Sequence, residues 1–292
     1  MFKYRAISFP ILIALLAVMI IWPSWGMYLY AAVAGLAAGM MFYEAGRMVE
    51  KIGMPSFVRG AALLGGAMLS LQLYYFAFRY GRVPSLAMLC SILLLLAVLV
   101  LFYAGWVLLL FRGDKKEVLS KALVSSGILL MCGVPVFALA QVYFTPGLGP
   151  IGLFFVMMVT KAMDTGGYIC GMLSGKFLPG GNHKIVPSIS PKKSWEGTIG
   201  GVVFSVGTSL LFYWLFRAKG LGIYASVGWY VAAGIVLALG SFAGDLTESA
   251  LKRTSGVKDS GNWIPGMGGA FDVLDSFLYN GILFWLLVVF LR

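Results

Sequence analysis

One stretch of the sequence, residues 244–276, holds a large share of the chain's acidic side chains. Five of the eleven acidic residues lie there, together with three basic residues and six glycines. The five acids are Asp245, Glu248, Asp259, Asp272 and Asp275. Carboxylates bind divalent metal ions, cations bind phosphate, and glycines let a backbone approach a ligand closely. The stretch therefore indicates a site for a metal ion and a polyphosphate.

The spacing of these acids predicts two carboxylate stripes on neighbouring helices. Asp245, Glu248 and Lys252 recur at intervals of three and four residues, which places them on one helix face. The second stripe is Asp272, Asp275 and Tyr279. Two such stripes, joined by a glycine-rich loop, can hold a divalent cation between them. The alternative is that the acids pair with the nearby basic residues as structural salt bridges.

A second charged group lies inside an apolar segment upstream, in residues 161–171. Lys161 and Asp164 are three residues apart and share a helix face. They either neutralise each other or line a polar cavity, and Thr165 and Tyr168 on the same turn favour the cavity.

The loop at 174–197 carries a further candidate for phosphate binding. Lys192 and Lys193 precede a predicted helix that Ser194 can cap. They are interpreted either as a phosphate clamp at a helix start or as ordinary cytoplasmic loop charge. His183, the only histidine, has no second ligand nearby and is interpreted as a loop residue.

The elements that must position these residues are membrane-spanning helices. The chain has 292 residues, of which 60% are hydrophobic and 11% charged, far from the composition of a soluble domain. The hydropathy pattern predicts an all-α polytopic membrane protein with about nine spans, the first of them a retained N-terminal segment. The spans are 7–22, 26–44, 57–78, 84–111, 119–144, 149–173, 195–216, 228–251 and 270–291.

The distribution of basic residues predicts the orientation of these spans. Sixteen lysines and arginines fall on the side of the N-terminus and five on the other side. The positive-inside rule then places the N-terminus and the 244–276 stretch in the cytoplasm. The net charge of +11 is explained in the same way, and nucleic-acid binding is not expected.

The first half of the chain is chemically quiet by comparison. Residues 1–148 are predicted to form about five packing helices, and residues 149–292 a catalytic region of about four. The acids of the first half are interpreted as solvated ion pairs with neighbouring basic residues. These acids are Glu44, Glu50, Asp114 and Glu117.

The motifs of the second half together resemble the CDP-diacylglycerol synthases, also called phosphatidate cytidylyltransferases. That family's C-terminal signature reads S-x-x-K-R-x4-K-D-x-G-x2-[hydrophobic]-P-G-H-G-G-x2-D-R-x-D. The positions that match it are Ser249, Lys252, Arg253, Lys258, Asp259, Gly261, Pro265, Gly266, Gly268, Gly269, Asp272 and Asp275. The motifs at 164–168, 190–197 and 244–249 also resemble the family, so the resemblance covers roughly residues 149–292.

Two positions depart from that signature. Met267 stands where the family has His, and Val273 where it has Arg. The first change removes a possible proton or phosphate contact, and the second a bidentate phosphate donor. These departures leave open a variant active site, or one in which a nearby basic residue supplies the missing charge.

The resemblance implies transfer of CMP from CTP to phosphatidic acid in the cell membrane, with Mg²⁺ as cofactor and a homodimer as assembly. It implies metal binding by Asp245 and Asp272, with Asp275 and Asp259 in support. Residues implied in binding CTP phosphates, pyrophosphate or the lipid phosphate are Lys252, Arg253, Lys258, Asp164, Lys192, Lys193, Ser249, Gly268 and Gly269. The alternatives are a cation-coupled transporter, and an altered or inactive relative with another nucleotide or lipid.

Overall fold

In the computed structural model, all the regular secondary structure of the described residues is helical. The structure describes residues 14, 17–19, 21–54, 56, 115–144, 148–217 and 226–290. Within these ranges there are two isolated β-bridges but no strand. The helices are α1 (Pro23–Lys51), α2 (Lys115–Phe144), α3 (Gly149–Phe177), α4 (Trp195–Arg217), α5 (Val227–Thr254), α6 (Ala270–Leu274) and α7 (Phe277–Phe290).

Five stretches of helix in the described residues are long and apolar enough to cross a membrane. They are Trp25–Lys51, Lys116–Phe144, Trp195–Phe216, Val227–Thr254 and Ala270–Val289, the last of which includes the short break between α6 and α7. Within the described residues this agrees with the prediction of a polytopic all-α membrane protein, whereas the nine spans and their orientation stay predictions. Helix α3 is as long, but it carries Lys161 and Asp164 in its middle and is not among the five. The predicted spans 57–78 and 84–111, and most of 7–22, lie outside the described residues.

The ninth predicted span is interrupted near its start, where a continuous helix was expected. Helix α6 ends at Leu274 and α7 begins at Phe277. Between them the Asp275 carboxylate accepts a hydrogen bond from the Ser276 N–H, and the Asp275 carbonyl accepts one from the Leu278 N–H at 3.1 Å. An Asp side chain that bonds neighbouring backbone competes with the helix ladder, which explains the interruption. The prediction of one regular stripe through Asp272, Asp275 and Tyr279 is therefore wrong.

The chain divides into two compact units. The first comprises residues 1–140 and 254–273, and the second residues 141–253 and 274–292. Helix α1 and the glycine-rich segment 254–269 thus belong to the first unit, whereas α3, α4, α7 and nearly all of α5 belong to the second. The predicted division between packing and catalytic regions at residue 148 stays a prediction.

The core of the second unit is built around an aromatic cluster. Phe155 of α3 is fully buried and lies 5.3 Å from the Phe212 ring of α4, measured between centroids. It also contacts Tyr230 of α5 at 5.9 Å and Phe284 of α7 at 5.4 Å. Aromatic pairs at these separations stabilise beyond their buried area alone. Phe155 of α3 therefore contacts the other three long helices of the second unit, α4, α5 and α7.

Helices α3 and α4 approach each other through glycines. A methyl group added at Gly201 of α4 would lie 2.7 Å from the Met163 carbonyl oxygen of α3. A methyl group at Gly197, one turn earlier, would lie 2.8 Å from the Gly167 carbonyl oxygen. Small residues four apart allow such close backbone contact between membrane helices.

Substitution of Gly201 by alanine is expected to destabilise the protein by about 1–3 kcal/mol, because the added methyl has no room against α3. Gly207 of the same helix is the matched control, since nothing lies within 4 Å of a methyl group built there. Gly207→Ala is expected to be neutral or stabilising, because alanine favours helix more than glycine does. Thermal unfolding midpoints of the detergent-solubilised variants measure the difference. Equal midpoints for the two variants would contradict the α3–α4 packing.

Candidate active site

A polar cluster lies within the second unit, where α3, α5 and the α6–α7 interruption meet. The Lys161 ammonium lies 2.8 Å from the Asp164 carboxylate and donates to the Ser276 hydroxyl at 3.0 Å. The other oxygen of Asp164 accepts from the Ser241 hydroxyl at 3.0 Å. The sequence correctly predicted that Lys161 and Asp164 share a face, and the structure adds the two serines as partners.

The predicted metal ligands Asp245 and Asp275 belong to the same cluster. Lys193, from the loop before α4, forms an ion pair with Asp245 at 2.8 Å. The Ser276 hydroxyl lies 2.9 Å from one Asp275 oxygen and 3.5 Å from one Asp245 oxygen. The two carboxylates are also direct neighbours. We call this group the polar cluster; its members are Lys161, Asp164, Lys193, Ser241, Asp245, Asp275 and Ser276.

The three carboxylates of the polar cluster converge on one hydroxyl donor. The Ser276 hydroxyl lies within hydrogen-bond distance of Asp164, Asp245 and Asp275, yet it carries only one proton to donate. Three carboxylates face two lysines, and adjacent carboxylates repel one another unless a cation or a proton lies between them. This donor set suits a hard divalent cation such as Mg²⁺.

The cluster does not form a closed metal cage. Across the described ranges, no three His, Cys, Asp or Glu side chains are grouped closely enough to hold a metal ion. Mg²⁺ is commonly bound by one or two carboxylates and completes its shell with water and substrate phosphates. Asp245 and Asp275 meet that smaller requirement.

Close backbone packing fixes the position of the cluster. A methyl group at Gly244 of α5 would overlap the Asp275 carbonyl oxygen, so α5 and the α6–α7 interruption touch there. Nearby, the buried Asn280 amide donates to the Thr160 hydroxyl at 2.7 Å and to the Leu237 carbonyl at 2.9 Å. These bonds join α7 to α3 and α5, so the cluster rests on rigid elements.

The predicted ligand Asp272 lies in the first unit, at the glycine-rich segment. Its Oδ2 accepts from the backbone N–H of Ser260 at 2.9 Å and from that of Gly269 at 2.8 Å. Between these donors the chain makes a tight turn, closed by a bond of 2.9 Å from the Ile264 N–H to the Gly268 carbonyl. Gly268 has a φ of 98°, which a side chain would strain. The signature glycine therefore shapes this turn.

The interpretation of Glu44 as a solvated ion pair is wrong. Its side chain is buried, with 2% exposure, and accepts hydrogen bonds from the backbone N–H groups of Ala270 and Phe271. The neighbouring Arg47 donates instead to the Tyr43 hydroxyl at 3.3 Å. The partners of Glu44 are more than two hundred residues away in sequence, so local charge spacing could not reveal them.

The remaining predicted phosphate-binding residues differ in their surroundings. Lys252 forms an ion pair with the buried Glu248 at 2.7 Å, which agrees with the predicted stripe. Arg253 donates to the Ile189 carbonyl at 3.4 Å. The residues Lys192, Lys258 and Asp259 are exposed and Ser249 is half-buried. Their roles stay predictions.

The predicted helix start at residue 194 is confirmed. The Ser194 hydroxyl accepts from the Gly197 N–H at 3.2 Å, which is an N-cap bond. In the same loop His183 lies 2.6 Å from the Glu196 carboxylate and has an exposed side chain. His183 is thus a loop residue, as predicted, and the cap fixes where Lys193 enters the polar cluster.

Sequence reasoning missed the two serines of the cluster. Ser241 precedes Asp245 by one helical turn, and Ser276 directly follows Asp275. The first could have been found by extending the carboxylate stripe one turn towards the N-terminus. The second has no such signal, because it depends on the helix interruption.

These observations describe a class of protein: a helical membrane protein with a cluster of three carboxylates and two lysines between its helices. The chain belongs to the cytidylyltransferase family, whose model matches residues 3–291.

Several curated proteins are similar to this chain. A phosphatidate cytidylyltransferase of Mycobacterium bovis is 35% identical over 169 residues, which are 58% of this chain and 51% of that protein. One from Haemophilus influenzae is 39% identical over 124 residues, 42% of this chain and 41% of that protein. The chloroplastic phosphatidate cytidylyltransferase 4 of Arabidopsis thaliana is 38% identical over 149 residues, 51% of this chain and 34% of that protein. The chain therefore spans about half the length of these relatives or less.

Proposed function

We propose that this protein transfers CMP from CTP to phosphatidic acid, giving CDP-diacylglycerol and pyrophosphate. The observation that carries the proposal is the family match over residues 3–291, together with relatives that bear the name phosphatidate cytidylyltransferase in bacteria and plants. The polar cluster of the second unit supports it chemically.

The reaction makes modest demands on proton transfer and large demands on charge. A phosphate oxygen of phosphatidic acid attacks the α-phosphorus of CTP, a new P–O bond forms, and the bond to the β-phosphate breaks to release pyrophosphate. The attacking phosphate is already largely ionised near neutral pH, so little general-base help is needed. What remains is to neutralise two polyanions and hold them in line.

The polar cluster can meet that demand. We assign Asp245 and Asp275 as the ligands of Mg²⁺, because they are adjacent carboxylates that share one hydroxyl. Bound Mg²⁺ would neutralise triphosphate charge and make the α-phosphorus more electrophilic. Lys193 and Lys161 lie next to these carboxylates and can bind phosphate oxygens. Asp272 as a further ligand remains a prediction from the resemblance.

The proposal extends to location and assembly. We propose nine spans, with the N-terminus and the active site on the cytoplasmic side of the membrane. The surplus of lysines and arginines on the side of the N-terminus supports this orientation. Placement in the cell membrane with lateral access for the lipid, and a homodimeric state, follow from the resemblance.

Conversion of radiolabelled CTP into a lipid-extractable product tests the reaction directly. Purified protein is expected to form product only when phosphatidic acid and Mg²⁺ are both present, and chelation of the metal is expected to abolish product. Lack of product with CTP or dCTP, from folded and monodisperse protein, would contradict the proposal and favour an altered relative. The family match gives no support to the cation-coupled transporter.

A further inference from the structure

Glu44 is a carboxylate buried in a predominantly apolar helix of the first unit. Its two oxygens accept from the Ala270 N–H at 3.1 Å, the Phe271 N–H at 2.8 Å and the Ser260 hydroxyl at 3.0 Å. A buried carboxylate is expensive to desolvate unless such donors compensate it. Packing alone therefore does not explain why a carboxyl group occupies this position.

The glycines opposite Glu44 leave room for its carboxylate. A methyl group at Gly261 or at Gly269 would overlap the Glu44 oxygens. Tyr43, the residue before Glu44, packs edge-on against Trp263 of the same segment, with centroids 6.2 Å apart. Helix α1 thus contacts the glycine-rich segment at several points.

The groups that bind Glu44 also hold Asp272. Ser260 donates its hydroxyl to Glu44 and its backbone N–H to Asp272. Gly269 donates its N–H to Asp272, and the next two N–H groups point to Glu44. The two carboxylates therefore share Ser260 and bind consecutive N–H groups of residues 269–271, so loss of Glu44 would release the backbone that orients Asp272.

We propose that Glu44 is a positioning residue: its buried carboxylate fixes the backbone of residues 260–271 and thereby the orientation of Asp272. The part of this inference that concerns catalysis rests on the proposed cytidylyltransferase function. In this proposal the first unit does more than pack, because the Glu44 carboxylate of α1 sets the geometry of the glycine-rich segment.

The first test measures the segment itself. In Glu44→Gln the side chain keeps its size, but one oxygen acceptor becomes an NH₂ group that faces backbone N–H donors. Hydrogen–deuterium exchange of the 260–272 amides is expected to rise at least roughly tenfold, while amides of α4 keep their rates. The matched control is Glu50→Gln on the same helix, where the side chain is exposed and accepts from the Ser56 hydroxyl at 3.0 Å. Unchanged exchange in Glu44→Gln would overturn the proposal even if the protein has no cytidylyltransferase activity.

The second test asks whether Glu44 acts through Asp272. Glu44→Gln is expected to lower CTP turnover roughly 10–100-fold, as removal of a group that orients a ligand does. In a protein that already carries Asp272→Asn, Glu44→Gln is expected to lower CTP turnover little further, because the Asp272 carboxylate that Glu44 positions is already absent. Fully multiplicative losses would show that Glu44 does not act through Asp272. If Glu44→Gln does not fold, Ser260→Ala is the substitute: it removes one donor to Glu44, and the same exchange and turnover criteria apply to it.

Discussion

Replacing Asp245 with asparagine is expected to lower the turnover of CTP about 1,000-fold, which corresponds to about 4 kcal/mol of transition-state stabilisation. The substituted side chain would keep its size and one oxygen that can accept from Lys193. It would lose the negative charge that, next to Asp275, makes the cluster attractive to a divalent cation. The fold should therefore survive while catalysis does not.

Initial rates over a range of Mg²⁺ concentrations measure this effect. The apparent Mg²⁺ requirement of the variant is expected to rise along with the loss in rate, because one metal ligand is weakened. Glu117→Gln is the control for loss of an acidic charge, since Glu117 is an exposed residue in the first turn of α2. An Asp245→Asn protein that is folded and works within about threefold of the unsubstituted enzyme would remove Asp245 from the proposed site.

The described helices were largely predictable because membrane spans are marked by long apolar runs. Helix α4 was predicted at 195–216 and is Trp195–Arg217, and α5 was predicted at 228–251 and is Val227–Thr254. The cap at Ser194 has a local cause, a hydroxyl three residues before the N–H that it binds, so it too was visible in the sequence. Features set by hydropathy or by local hydrogen bonds can be predicted from one sequence.

The features that the sequence did not reveal depend on contacts between distant residues. Glu44 looked solvated because Arg47 follows it by one turn, yet its donors come from the other end of the chain. Ser276 gained its role only because the helix breaks at Asp275, where a regular helix would have continued the stripe. The family signature included the glycines at 261 and 269, but it did not reveal that both positions face the Glu44 carboxylate.

Removal of the Lys161 charge is expected to distinguish the two interpretations of the Lys161–Asp164 pair. Lys161→Met should lower turnover about 100-fold, because the cluster loses one of the two cations that face its three carboxylates. It should also lower the thermal midpoint, since Asp164 then lacks its ion-pair partner within an apolar helix. Asp164→Asn should have a comparable effect on both measurements.

The double variant Lys161→Met/Asp164→Asn distinguishes the two interpretations of this ion pair. It removes both charges of the pair, so its thermal midpoint is expected to recover towards that of the unsubstituted protein. If the pair serves only to neutralise itself, turnover should recover as well. If Lys161 binds substrate phosphate and Asp164 orients it, turnover should stay low in a stable protein. We expect the second outcome, because Lys161 also donates to Ser276, the hydroxyl that Asp164, Asp245 and Asp275 share.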